Sequence, residues 1–185
     1  MNHSPLITDF TKDTFIIVLR EYFADHSVWT YNENEHLTKI DICDEYTLNL
    51  EVEEFRPIIT VSRLPVRWTQ TSIGQAEGFD WMTGKRSYTD LFDCGIILKC
   101  ISREGLEAEQ LGAEVFNFIH MTRDGIKKNF GILSLNSIEL GVEQPFKKDS
   151  KYDLVQVPVS VKLLKQESWS STPVAPTLKD TELQH

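Results

Sequence analysis

Residues 152–165 constrain the fold more than any other stretch. Val155, Val157, Val159, Val161 and Leu163 alternate there with Gln156, Pro158, Ser160 and Lys162. A period of two puts the apolar set on one face of an extended chain and the polar set on the other. Such a strand is stable only when a second layer covers its apolar face. Proline cannot donate to a strand ladder, so the local rule places this strand on a sheet edge at Pro158.

Other segments repeat the theme. Over 88–102, Phe92, Cys94, Ile96, Leu98 and Cys100 share one face, while Ile97 and Ile101 lie on the other with Lys99 between them. Both faces are therefore partly covered. Over 46–53, Leu48, Leu50 and Val52 alternate with Asn49, Glu51 and Glu53, and the β-branched run 58–61 follows Pro57. Residues 137–143 alternate with Ile138, Leu140 and Val142 inward, and a turn over 144–150 is expected next.

Two segments carry the helical period instead. Phe15, Val18, Leu19 and Tyr22 fall on one face of a helix over 11–23, which Ile16 and Ile17 widen. Leu111, Val115, Phe118, Ile119, Thr122 and Ile126 form one stripe of a long helix over 104–128. Its acids, Glu107, Glu109 and Glu114, precede its terminal Lys127 and Lys128, the polarity that suits the helix dipole. Asn129 and Gly131 are its C-cap candidates. The order is helix, strands, long connection, strand, helix, two strands. It predicts an α+β fold: an antiparallel or mixed sheet with an N-terminal helix and one long helix packed on one side.

A chain of 185 residues, 41% hydrophobic and 25% charged, fits one domain with a sizeable core. We place that domain at 1–165 and a polar C-terminal tail at 166–185, without fixed structure in the free subunit and with Trp169 as its one anchor. Within the domain, 64–86 is a long extended connection carrying Pro65, Gly74, Gly78 and Gly84 beside Trp68, Phe79 and Trp81. Connections of this length are functional, flexible or drawn out into a hairpin. No apolar run reaches the ~18–20 residues that span a bilayer, and the first ten residues lack a secretory pattern. Three cysteines without tight spacing fit small buried hydrophobes in a reducing compartment. A soluble, intracellular chain is expected.

Chemistry is hard to find. The glycines form neither type of phosphate loop, and no Gly-x-Ser-x-Gly elbow occurs. Cys94 and Cys100 lie on an apolar strand face, where a thiolate is disfavoured, so pairing either with His120 as base is a poor triad. The histidines show no metal-ligand spacing. Asp41, Asp44, Glu45, Glu51, Glu53 and Glu54 cluster, but no lysine continues a nuclease pattern, and they read as a solvated acidic face. No catalytic residue, metal or cofactor is expected. Arg63, Arg67, Lys85 and Arg86 interleave with Trp68 and Trp81, a mixture suited to stacked bases or to a protein interface. A net charge of −9 favours the protein interface. The interface candidates are Arg63, Arg67, Trp68, Phe79, Trp81, Lys85, Arg86, Pro158 and Trp169.

The order of elements, carried by 15–23, 48–61, 92–101, 111–126 and above all 152–165, resembles the tail terminator and neck (head-tail joining) proteins of long-tailed bacteriophages. The resemblance covers the chain from about residue 11 and rests on architecture, without a diagnostic motif. It implies a virion structural protein, assembled in the host cytoplasm, whose copies form a homohexameric ring. That ring caps the tail tube, meets the head-side connector and lets genomic DNA pass without sequence-specific binding. A ring needs two different patches per subunit, and segments 64–86 and 166–185 are the candidates. The segment 166–185 departs from the family pattern. Two alternatives stay open: a metal-dependent nuclease or other small enzyme using the acidic face, and an adaptor that binds proteins by strand addition at Pro158.

Overall fold

The computed structural model describes residues 7–48, 56–69, 78–146 and 153–171. An eight-stranded mixed sheet carries two helices on one face. Helix α1 (Ile7–Ala24) leads to β1 (Asp41–Asp44), a 3-10 turn (Glu45–Thr47) and β2 (Ile58–Arg63). Short strands β3 (Arg67–Thr69) and β4 (Gly78–Phe79) precede the long β5 (Arg86–Ser102). Helix α2 (Gly105–Phe130), β6 (Ile132–Leu140), β7 (Gln144–Phe146) and β8 (Leu154–Ser171) follow and complete the described elements. The sheet order is β1-β2-β5-β8-β6; β3 and β4 continue the line of β2 along β5, and β7 continues that of β6 along β8. Only β1 and β2 pair in parallel among the described strands.

The register explains the core. Ile59, Cys100 and Val157 stand in one row, and Val61, Leu98 and Val159 in the next on the same face. All are buried, and all but Val157 cluster with Phe15, Leu19 and Phe23 of α1 and Leu111, Val115 and Ile119 of α2. Ile17 stays half exposed on the outer side of α1. The two helices also touch: the Tyr22 ring stacks on Phe118, and its hydroxyl donates to Glu114. Helix α2 ends at Gly131, whose φ of 63° is the left-handed geometry that glycine adopts freely, with its N–H donated to the Lys127 carbonyl.

Three expectations need correction. Tyr46 and Thr47 belong to a 3-10 turn, capped by the Asp44 carboxylate on the Tyr46 N–H, and the strand before it is β1; the rest of the alternation at 49–53 lies outside the described residues. Residues 144–146 form strand β7, and the remainder of the expected turn is likewise outside them. Pro158 does not lie on an edge, because β8 sits between β5 and β6. The side of Pro158 that lacks a donor faces the break between β6 and β7, where its carbonyl accepts the Gly141 N–H at 2.7 Å. No ladder bond is forfeited there, so the proline is tolerated inside the sheet.

Candidate assembly interface

Burial along β5 changes at Cys94. From there on, one face is buried under the helices, whereas none of residues 86–93 is buried. Those residues nevertheless remain laddered, to 164–171 of β8 on one side and to β3 and β4 on the other. The chain thus builds a three-stranded arm that runs beyond the helix-covered core. Residues 166–171, expected in the tail, are strand here, because each has a partner in β5 down to Arg86 opposite Ser171.

The arm gathers most of the sequence candidates. Trp68, Phe92 and Lys165 form one cross-strand row, with Asp90 and Glu167 in the next row outward. The Trp68 ring is 57% exposed, and its indole N–H donates to Asp90 Oδ1 at 3.0 Å. Lys165 bonds Glu167 at 2.8 Å. Arg67 stands opposite Asp93, Phe79 opposite Arg86, and Trp169 opposite Tyr88. Arg63 is exposed at the base of the arm, opposite Ile96. Pro158 lies away from this set, in the row of Lys99.

The turn joining β4 to β5 is held by its own polar groups. The Asp80 N–H donates to the Lys85 carbonyl at 2.8 Å. The Asp80 carboxylate accepts the Thr83 hydroxyl at 2.7 Å and the Met82 N–H at 3.0 Å. These two bonds, the hydroxyl first, hold its carboxyl below the usual range. Gly84 supplies the positive φ, 67°. The organised tip presents Trp81 at 81% exposure and Met82 at 78%, beside exposed Lys85. Met82 was not among the sequence candidates. Its signal was the Asp80-x-x-Thr83-Gly84 pattern, which marks a self-bonded turn whose two middle residues point outward.

A second feature had no sequence signal. The face opposite the helices holds a concavity of about 790 Å³ lined by Glu45, Tyr46, Lys99, Pro145, Phe146 and Gln156, among others. Lys99 donates to Glu45 across it. The Gln156 Oε1 is shut off from solvent and has no hydrogen-bond partner among the described residues. The lining joins the 3-10 turn to β7, two elements the sequence pattern had not identified.

The proposed catalytic groups are dispersed. Cys94 and Cys100 are buried in the core, and burial raises both thiols. His120 is exposed on the outer side of α2, its ring stacked on Phe116. Asp44 pairs with Lys12 and Glu45 with Lys99, while burial raises the Asp41 carboxyl. Glu51, Glu53 and Glu54 lie outside the described residues. Among the described residues no group of three or more His, Cys, Asp or Glu is placed to hold a metal, and no helix is long and apolar enough to cross a membrane. No protein-family model matches the chain, and no curated protein does.

Proposed function

We propose that this chain is a virion structural subunit, a tail terminator or neck protein whose copies form a ring at the head-proximal end of a phage tail. The observation that carries the reading is the arm: a laddered extension past the core whose tip holds Trp81 and Met82 in solvent. Two large apolar side chains on a turn fixed by four hydrogen bonds have no use within one copy. Aromatic anchors of this kind are enriched at protein interfaces. The order of elements supports the same reading, and no catalysis is assigned to the chain. DNA would pass through the ring without base-specific contacts, which suits a chain of net charge −9.

The test is the mass of the purified protein by light scattering, with negative-stain imaging of the same sample, alone and with tail tubes. A ring of about six copies supports the proposal. A protein that stays monomeric in both conditions refutes it. An adaptor acting by strand addition would use β6, whose outer edge is unpaired among the described strands, and would give a one-to-one complex without self-assembly.

A further inference from the structure

The chain leaves α1 through a turn whose two ends are tied to the helix. The His26 N–H and the Tyr31 N–H both donate to the Phe23 carbonyl, at 3.3 and 2.8 Å. The Thr30 hydroxyl donates to the His26 carbonyl at 2.8 Å. Between these anchors, one side chain holds the middle of the turn. His26 Nδ1 accepts the Val28 N–H at 3.3 Å and the Trp29 N–H at 3.1 Å. The imidazole also stacks on the Trp29 indole, with ring centres 5.4 Å apart. Trp29 is 8% exposed, whereas its neighbour Val28 is 59% exposed. The Trp29 indole N–H is shut off from solvent and has no hydrogen-bond partner among the described residues, so the closed turn carries a cost that opening relieves.

These bonds define the state of the ring. A ring nitrogen that accepts N–H groups carries no hydrogen, so the imidazole of the closed turn is neutral with its proton on Nε2. Nε2 faces Glu114 of α2 at 3.6 Å, and the same carboxylate accepts the Tyr22 hydroxyl. Glu114 is thus the charged group that faces the imidazole from α2, and Tyr22 is the titratable one from α1, with ring centres 6.0 Å apart. Among the described residues no other charged side chain pairs with His26. Its side chain is 17% exposed, so solvent protons reach it. A second proton has one place to go, Nδ1, where it meets the two N–H groups that point there. Both nitrogens of an imidazolium are donors, so turning the ring over restores no acceptor.

We infer that residues 27–29 form an acid-released latch: protonation of His26 at Nδ1 frees the Val28 and Trp29 N–H groups, the imidazolium stays with Glu114, and Trp29 leaves its stack to join Val28 in solvent. The anchors on Phe23 and on the His26 carbonyl keep the change local. A proton shifts such an equilibrium only by binding one state better than the other. The open turn accepts it, and the closed turn opposes it with two donors. Histidine is the side chain that ordinarily changes charge between about pH 5 and 8, so the latch works near neutrality. It acts within one copy and is independent of the ring reading.

Hydrogen exchange of the full chain tests this, read by mass spectrometry on peptides covering 25–31, with each rate divided by the intrinsic rate at that pH. Protection there is expected to fall roughly tenfold between about pH 8 and pH 5, as two hydrogen bonds are lost, while peptides from α2 and β8 keep theirs. His26→Asn retains an acceptor, because an asparagine oxygen bonds N–H groups two or three residues on, yet it takes up no proton in this range. It should stay protected at both pH values. His26→Ala should be poorly protected at both. Glu114→Gln removes the anion that holds the imidazolium and should move the opening to lower pH. Unchanged protection of the wild type across this range overturns the latch. So does a fall of the same size in His26→Asn, which puts the sensing group elsewhere, or a parallel loss in α2 and β8, which is general acid unfolding. Wild-type protection of 25–31 in His26→Ala at pH 8 overturns it as well.

Discussion

Gly112 and Gly125 lie in the same helix, and the same substitution should act on them with opposite sign. Replacing an exposed helical glycine by alanine stabilises by about 1 kcal/mol, because alanine restricts the unfolded chain and suits the helix. Gly125 is such a site: a methyl there would meet nothing within 4 Å. Gly112 is buried where α2 crosses β8. A methyl there would stand 2.9 Å from Val157 Cγ1 and 3.2 Å from Leu140 Cδ1. Leu140 is partly exposed and can swing aside, but Val157 is buried and stiff at its branched carbon. Overpacking of this kind costs about 1–3 kcal/mol, which offsets or exceeds the helical gain. Gly125→Ala should therefore raise the thermal midpoint by about 2–4 °C. Gly112→Ala should leave it unchanged or lower it, so that the two variants differ by roughly 2–12 °C. Thermal unfolding followed by circular dichroism at one protein concentration measures this, with concentration held fixed because association adds to apparent stability. Equal stabilisation by both substitutions would refute the close approach of α2 to the sheet.

Gly131→Ala forces a side chain into the left-handed region and should lower stability by about 1 kcal/mol, read from a urea midpoint at unchanged slope. Burial, with the Glu114 carboxylate beside it, pushes the Tyr22 hydroxyl up to about 12 from 10.0. Its folded form keeps the proton longer than the unfolded form, so this contribution is intact below pH 10 and is lost as pH rises to about 12. Tyr22→Phe should flatten that part of a stability–pH curve, and an unchanged alkaline limb would sink the assignment. Cys94 and Cys100 should resist a thiol reagent in the native state and react only in denaturant; rapid modification of all three cysteines would contradict the core. Asp80→Ala should leave the unfolding midpoint close to that of wild type, as for a surface change, while weakening the proposed self-association, because the tip loses the acceptor that orders it.

What was legible in the sequence was periodicity backed by burial. Val159, Val161 and Leu163 of β8, the Cys94–Cys100 face of β5 and the α2 stripe apart from Thr122 reappear in the core, because one covered face imposes its period on the chain; Val155 is only partly buried. Pro158 was misplaced because the edge rule counts a missing donor without asking which neighbour it faces. Residues 166–171 were assigned to the tail on polarity, yet each is registered with β5, and a ladder needs no apolar side chains. Strand β1 went unnoticed because Asp41, Ile42, Cys43 and Asp44 are too few to show a period. The aromatic and basic residues of 64–86 could be nominated from composition. Their collection on one arm could not, since it depends on β3 and β4 pairing with a strand that follows them in sequence. The concavity was invisible for the same reason: its lining comes from four separate parts of the chain.

Every residue of the 17-residue β5 is registered with one in β8, from the middle of the core to the far end of the arm. Antiparallel hydrogen bonds lie across the strand axis. A pull on the arm along that axis therefore loads the whole ladder in shear, with many bonds sharing the force at once, instead of peeling them open one by one. The arm is a beam continuous with the core. A chain built this way transmits tension applied at its arm directly into its most buried strands.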